Sequence, residues 1–130
     1  CSPDAYLHQA KQLGIEKQVH ILGPRDDISE WMFISDLLVH PARQETAGMV
    51  LLEALTYGLP VLCTENCGYA SIVEEAGCPP FHKEASTAEL SSNILKALAS
   101  AQGSKNLIPY WLSDEDRYST ANVLLDDMRS

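Results

Sequence analysis

The stretch DLLVHPARQETAGMVLLEALTYGLPVLCT, residues 36–64, decides the fold of this chain. It opens with a short apolar run, passes through a polar loop into a longer apolar segment, and closes with a second short apolar run. Short continuous apolar runs are typical of parallel strands that are buried on both faces of a sheet. The stretch therefore predicts a strand at 37–40, a helix from about 47 to 57 that Gly58 ends, and a strand at 61–64.

The residues on either side of this stretch continue the alternation of strands and helices. The further predicted elements are a helix that starts at Ser2-Pro3-Asp4 and stops at Gly14, a strand at 18–22, a helix at 26–35, a short helix within 66–77, an amphipathic helix at 87–101 and a final helix capped by Ser113. The apolar residues predicted to face inward on two of these helices are Leu7, Ala10, Leu13, Leu90, Ile94, Leu95 and Leu98. This order indicates an α/β fold, Rossmann-like, with three αβα layers around a parallel sheet.

Composition and charge limit the function classes. The chain has 130 residues, enough for one domain, and 45% hydrophobic and 21% charged residues are typical of a globular, soluble protein. A formal net charge of -9 without a cluster of Lys or Arg argues against nucleic acid or an anionic membrane as partner. No apolar run approaches the roughly 20 residues of a membrane span.

The four cysteines, Cys1, Cys63, Cys67 and Cys78, match neither the common zinc-ligand spacing nor the density of a disulfide-rich secreted domain. Their pattern favours free thiols, with Cys63 and Cys67 as core and turn residues, and hence a cytoplasmic protein. The chain also begins without Met, directly in a predicted helix, which indicates a piece of a longer protein.

Three loops are predicted to meet at one edge of the sheet. They follow the three predicted strands and comprise residues 23–27, 40–46 and 64–69. In parallel sheets the loops after the strands lie at the carboxyl edge, where ligands bind. Arg25 and Arg43 could meet a phosphate or a base there, or could be solvated loop charges.

The helix that begins near Gly48 predicts an anion site. Because Gly48 has no side chain, a ligand can approach the first-turn amides, which carry the positive end of the helix dipole and have no partners within the helix. A phosphate or pyrophosphate would suit such a site. The alternative is that Gly48 only allows the helix to pack closely on the sheet.

Glu53 is the one charged residue between Gly48 and Leu59. It lies about six residues into the predicted helix, roughly 9 Å along the axis, which is similar to the separation of ribose and phosphates in a nucleoside diphosphate. A carboxylate only accepts hydrogen bonds, so it suits the paired hydroxyls of a ribose. The alternative is a polar stripe, but a helix that is apolar nearly all round has little solvated face.

Glu45 lies eight residues before Glu53, in the loop that leads into the helix. A loop carboxylate is often solvated or caps a helix, and that alternative stays open for Glu45. Together the two residues form an E-x7-E pattern, with one carboxylate on each side of the predicted anion site.

The run PARQETAGMVLLEALTYGLPVLCT, preceded by DLLVH, closely resembles the donor-binding motif of retaining GT-B glycosyltransferases of the E-x7-E group. The features in register are the two glutamates, Gly48, the Glu53-Ala54 pair and the Gly-Leu-Pro-Val run that starts at Gly58.

Within that group, the chain is most similar to the lipopolysaccharide core glucosyltransferases. The similarity is carried by Ala47, where most of the group has an aromatic residue, by CGYA at 67–70 and by VHILGPRDDISEWM. It covers residues 1–78 well and 79–130 loosely, and Pro79-Pro80 interrupts what is normally a strand.

The resemblance implies a role for each candidate residue. Glu45 would be the catalytic residue and hold hydroxyls of the donor sugar, while Glu53 would bind the ribose. The residues that would contact the donor nucleotide are Gly23, Arg25, Ala47, Gly48, Met49 and Glu53. The donor would be UDP-glucose or a related nucleotide sugar. No metal or other cofactor would be required, because helix amides would meet the diphosphate charge.

The resemblance also implies what the chain lacks. Residues 1–130 would form a single donor-nucleotide-binding domain, the C-terminal half of a GT-B fold truncated at its N-terminus, without the acceptor-binding half. The chain alone is therefore predicted to be inactive. A lipopolysaccharide core or another glycan acceptor would bind through the absent half, which could also rest peripherally on the inner membrane.

Two other functions stay open. A sugar-nucleotide epimerase or a phosphorylase would share the fold but would need other site residues. A non-catalytic nucleotide-binding or interaction module would share even the nucleotide site. Two weaker signals also have two interpretations. His40 could hydrogen-bond a donor hydroxyl or be structural. The D-x-D pattern at 114–116 could be a metal-nucleotide motif of a different glycosyltransferase fold, or the first turn of a helix capped by Ser113.

Overall fold

The computed structural model describes residues 2–44 and 48–104 of the chain, with side chains as far as residue 100. Glu45 and Ala47, two of the predicted site residues, lie outside the described residues, as does the predicted final helix after Ser113.

Five helices and two strands make up the described part of the chain. In chain order they are α1 (Pro3–Gln12), α2 (Ile28–Ile34), β1 (Leu38–His40), α3 (Met49–Thr56), β2 (Val61–Cys63), α4 (Ala70–Glu75) and α5 (Thr87–Ser104). The predicted strand, helix and strand at the centre are thus confirmed, with α3 beginning two residues later than predicted. No helix in these residues is long and apolar enough to cross a membrane.

The two strands form a parallel sheet, as predicted. Leu38 pairs with Val61 and His40 pairs with Cys63, so both strands end at the same edge. Beyond β2, the pairing extends by a single parallel bridge between Thr64 and Phe81, in which the Phe81 amide donates to the Cys63 carbonyl at 2.9 Å. The two prolines before Phe81 have no N–H to donate, which is why this third position does not become a regular strand.

Glycines mark both ends of α3. Gly48 has φ +54° and precedes the first helical residue, and Gly58 has φ +69° and follows the last turn. Both are in the left-handed region, which glycine enters without steric cost. At the second end the Gly58 amide donates to Leu55 and the Leu59 amide donates to Ala54, both at 3.0 Å, which is the Schellman arrangement of a helix terminus.

The core lies around α3 and β2. Its buried members are Met32, Leu51, Ala54, Leu55, Leu59, Val61, Cys63, Cys67, Ala70 and Val73. The prediction that Cys63 and Cys67 are core and turn residues is confirmed, since both are buried free thiols. Burial, with a smaller contribution from the neighbouring Cys67, raises the pKa of the Cys63 thiol to about 12, so Cys63 is neutral at physiological pH.

The strand predicted at 18–22 does not form. These residues pair with no strand of the described chain, and Ile21 and Leu22 are each 41% exposed. The apolar pattern was typical of a buried strand, but a strand exists only when its N–H and C=O groups find a partner strand.

Two inward faces also differ from prediction. On α1 only Ala10 is buried, and Leu7 and Leu13 are exposed. On α5, Leu90, Ile94 and Leu98 are half-buried as predicted, but Leu95 is 68% exposed. Residues 90, 94 and 98 follow the four-residue spacing of one face, whereas residue 95 lies about 100° further round the helix.

Candidate functional site at the carboxyl edge of the sheet

Two of the three predicted loops lie against each other at the carboxyl edge. The loop after β1 accepts hydrogen bonds from the loop after β2: the Thr64 hydroxyl donates to the Ala42 carbonyl, and the Asn66 side-chain amide donates to the Arg43 carbonyl at 3.3 Å. The predicted convergence of these two loops is confirmed.

The third loop, residues 23–27, is stabilised internally. The Arg25 guanidinium donates to both carboxylate oxygens of Asp27, at 2.6 and 2.8 Å, and lies over the Trp31 ring with its central carbon 5.3 Å from the ring centroid. The hydrogen bond from Arg25 lowers the pKa of Asp27 to about 2, and the pKa of Arg25 is raised by the same bond. The charge that Arg25 could offer to an anionic ligand is therefore offset by Asp27.

Gly23 has φ +66° and an open environment, since a Cβ atom built on it would meet no heavy atom within 4 Å. Its conformation favours glycine, and the space around it is wide enough for a ligand to approach the backbone.

The beginning of α3 has the features of an anion-binding helix terminus. The Leu51 amide donates to the Gly48 carbonyl at 2.9 Å. The Met49 and Val50 amides lie in the first turn, where the helix itself provides no acceptor. No acidic side chain occupies the first turn, so no carboxylate of this turn offsets the positive end of the helix dipole.

Glu53 is exposed, and the prediction that α3 is apolar nearly all round is wrong in this respect. The helix buries Leu51, Ala54 and Leu55, while Met49, which is 54% exposed, and Glu53 lie one turn apart on an open face. Because α3 begins at Met49, Glu53 is only about 6 Å along the axis from the first helical residue, less than the roughly 9 Å expected.

Two polar residues of the edge were missed by the sequence reasoning. Thr64 and Asn66 hold the two loops together, yet neither stood out as a candidate. The available signal was a hydroxyl residue at the end of a buried apolar strand, because such a group needs a hydrogen-bond partner when it is buried.

The structure adds only the exposure of the two remaining candidates, His40 and Arg43. His40 is half-buried at the end of β1, and Arg43 is exposed in the loop that follows. Across residues 2–44 and 48–104, no group of three or more His, Cys, Asp or Glu side chains is arranged to hold a metal ion.

A parallel sheet with a crossover helix that starts from a glycine at the carboxyl edge is the arrangement of Rossmann-like α/β proteins, many of which bind nucleotides at that edge. Residues 3–111 match the model of the family described as glycosyl transferases group 1, and the chain belongs to this family. The resemblance read from residues 36–64 is thereby confirmed.

Individual relatives agree with this assignment. The chain is 47% identical over 101 residues to the lipopolysaccharide glucosyltransferase WaaG of Escherichia coli K12, and 35% identical over 68 residues to an N-acetyl-alpha-D-glucosaminyl L-malate synthase of Bacillus anthracis. A crystal structure of WaaG, a glycosyltransferase involved in lipopolysaccharide biosynthesis, superposes with a TM-score of 0.76 at 37% identity and covers 96% of this chain.

The chain is much shorter than these relatives. The match to the Escherichia coli protein covers 74% of this chain and 26% of that protein. The match to the Bacillus anthracis protein covers 52% of this chain and 18% of that protein. The superposition covers 35% of the WaaG crystal structure.

Proposed function

We propose that this chain is the donor-nucleotide-binding part of a retaining hexosyltransferase that uses UDP-glucose in the synthesis of a lipopolysaccharide core. The observation that carries the proposal is the joint position of two features on α3. Its amino end, whose first turn has no acidic side chain, lies at the carboxyl edge of the sheet, and Glu53 is exposed one turn further along the same helix.

The amino end of α3 would receive the diphosphate. The amides of Ala47, Gly48 and Met49 would donate to its oxygens, and the helix dipole would favour the negative charge. As the bond between sugar and diphosphate breaks, charge grows on the leaving group, and preorganised amides stabilise that charge more than they stabilise the ground state. This supply of donors is the reason that we expect no required metal.

Glu53 would bind the ribose. Its carboxylate accepts the two hydroxyl protons, a role that needs no basic partner and that an exposed position allows. Glu45 would orient the sugar through its hydroxyls, as in the family that the chain resembles. Near the base, we expect the Gly23 to Arg25 backbone to contribute, because the Arg25 side chain is already bonded to Asp27.

The acceptor would be the lipopolysaccharide core or another glycan. It would bind through the part of the relatives that this chain does not span, and any peripheral attachment to the inner membrane would also lie there. We expect the chain alone to bind donor without transferring sugar. The cytoplasmic location predicted from the cysteines stays a prediction.

The family assignment places glycosyl transfer ahead of the epimerase and phosphorylase alternatives. A non-catalytic nucleotide-binding module stays as the second candidate. It predicts the same affinity for UDP but no transfer of sugar when the remainder of a relative is joined to the chain.

Calorimetric titration with UDP tests the donor site. Glu53→Gln should weaken UDP binding by about 1 to 3 kcal/mol, because a ribose hydroxyl loses a charged acceptor. Glu74→Gln is the matched control, since Glu74 is an exposed carboxylate in α4, outside the proposed site. Equal affinities of the two variants would remove Glu53 from the site, and absence of UDP binding by the unaltered chain would reject the proposed function.

A further inference from the structure

Thr64 is the only polar residue among the buried side chains of the described chain, with 1% of its surface exposed. It directly follows the apolar strand β2, where a valine of the same shape would pack without needing a hydrogen bond. A hydroxyl in such a place is costly unless it is paired. The buried Thr64 hydroxyl therefore needs hydrogen-bond partners.

The partners of Thr64 belong to both loops of the carboxyl edge. Its hydroxyl donates to the Ala42 carbonyl, 22 residues earlier in the chain. The same oxygen lies 3.4 Å from the buried Cys67 sulfur. Since Thr64 has one proton and Ala42 takes it, the Cys67 thiol is the donor in the second contact. The result is a chain of hydrogen bonds from Cys67 through Thr64 to Ala42.

Asn66 adds a second connection from the exposed side. Its side-chain amide donates to the Arg43 carbonyl at 3.3 Å. Two successive carbonyls of the loop after β1 are thus held by two side chains of the loop after β2. The held segment ends only a few residues before Gly48 and the amino end of α3.

We propose that Thr64 is a positioning residue of the donor site, whose buried hydroxyl fastens the loop after β1 to the loop after β2 and so fixes the edge at which the nucleotide binds. This inference rests on the proposed function for its ligand. The fastening itself is a property of the chain without ligand, and the two parts can be tested separately.

The experiment compares three variants by nitrogen-15 NMR relaxation, which measures the mobility of each backbone amide, and by UDP titration. Thr64→Val keeps the shape and removes the hydroxyl, Thr64→Ser restores the hydroxyl, and Thr56→Val is the matched control, because the Thr56 hydroxyl donates to the Glu53 carbonyl within α3. In Thr64→Val the Ala42 carbonyl loses the donor that fastens its loop, so we expect the backbone order parameters of residues 42–44 to fall from about 0.85 to below about 0.6. UDP should bind about tenfold more weakly. Thr64→Ser should recover both values and Thr56→Val should change neither.

The outcomes separate the two proposals. If the order parameters of residues 42–44 in Thr64→Val match those in Thr56→Val, the inference is wrong, whatever the UDP affinity is. If these residues become more mobile but the UDP affinity is unchanged, Thr64 fastens the loops without positioning the donor site, and the inference is again overturned. If the unaltered chain binds no UDP while Thr64→Val still makes these residues more mobile, the donor function fails and the fastening stands.

Asn66→Ala covers the case in which Thr64→Val does not fold. Asn66 is exposed, so its replacement leaves the core intact. It should lower the order parameters of Arg43 and Gln44 and weaken UDP binding, as Thr64→Val does. No change in either measurement would count against the fastening of the two loops.

Discussion

At the scale of the residue, Arg25 shows how a neighbour changes what a side chain can offer. Its guanidinium bonds both oxygens of Asp27 and lies over Trp31. Sequence alone indicated a cation in this loop but not its pairing with Asp27. The pairing depends on the side-chain conformations of residues 25 and 27, which no periodicity in the sequence records.

The pair makes a prediction for acid titration. The pKa of Asp27 is about 2 because Arg25 donates to it, below its ordinary value of 3.8. Since the folded pKa is the lower one, the pair stabilises the fold above about pH 3.8 and loses that contribution as the pH falls through about 2. The contribution is small because the pair is exposed to solvent.

Carbon-13 NMR of the Asp27 carboxyl group measures this directly. Arg25→Ala should return its pKa toward 3.8, whereas Arg43→Ala, which removes a cation from another loop, should not move it. A midpoint near 3.8 in the unaltered chain would show that the pair does not form in solution.

At the scale of the element, α3 is defined by its two ends more than by its middle. Gly48 precedes it and Gly58 follows it, both with positive φ. The ends of α3 could be predicted from the sequence because glycine is the residue that such positions require. Residues 18–22 show the opposite case. Their apolar pattern is local, but a strand is not, because its backbone must be completed by a second strand.

Gly58→Ala tests the C-terminal end of α3. A Cβ atom at φ +69° should cost about 1 to 2 kcal/mol of unfolding free energy. Urea denaturation gives that difference. Gly68→Ala is the control, because Gly68 is exposed and is not among the glycines with positive φ. Equal midpoints for the two variants would show that the left-handed turn does not persist in solution.

At the scale of the whole molecule, the exposed apolar surface of the described residues is concentrated between residues 6 and 34. Eight of the ten large hydrophobic residues that are exposed among the described residues fall between 6 and 34: Tyr6, Leu7, Leu13, Ile15, Ile21, Leu22, Ile28 and Ile34. The sequence predicted Leu7 and Leu13 to face inward, because it records hydrophobicity but not which surface is covered.

Such a surface should be detectable in solution. We expect the folded chain to bind the dye ANS and to self-associate in sedimentation experiments. The double change Ile21→Ser and Leu22→Ser should reduce both while changing the unfolding free energy by less than about 1 kcal/mol, since both side chains are already exposed. Leu51→Ala, in the core, should instead cost about 2 to 5 kcal/mol. Unchanged ANS binding in the double variant would mean that these residues are covered.

The paired prolines before Phe81 have a consequence for encounters between molecules. In a parallel sheet, successive residues of a strand form their backbone hydrogen bonds to opposite sides. Phe81 bonds to the β2 side, so the backbone of Pro80 faces the side on which a strand of another molecule could add. Because Pro80 has no N–H, a strand added on this side would find no hydrogen-bond donor at that position. The missing donor at Pro80 thereby protects that flank of the sheet against edge-to-edge aggregation.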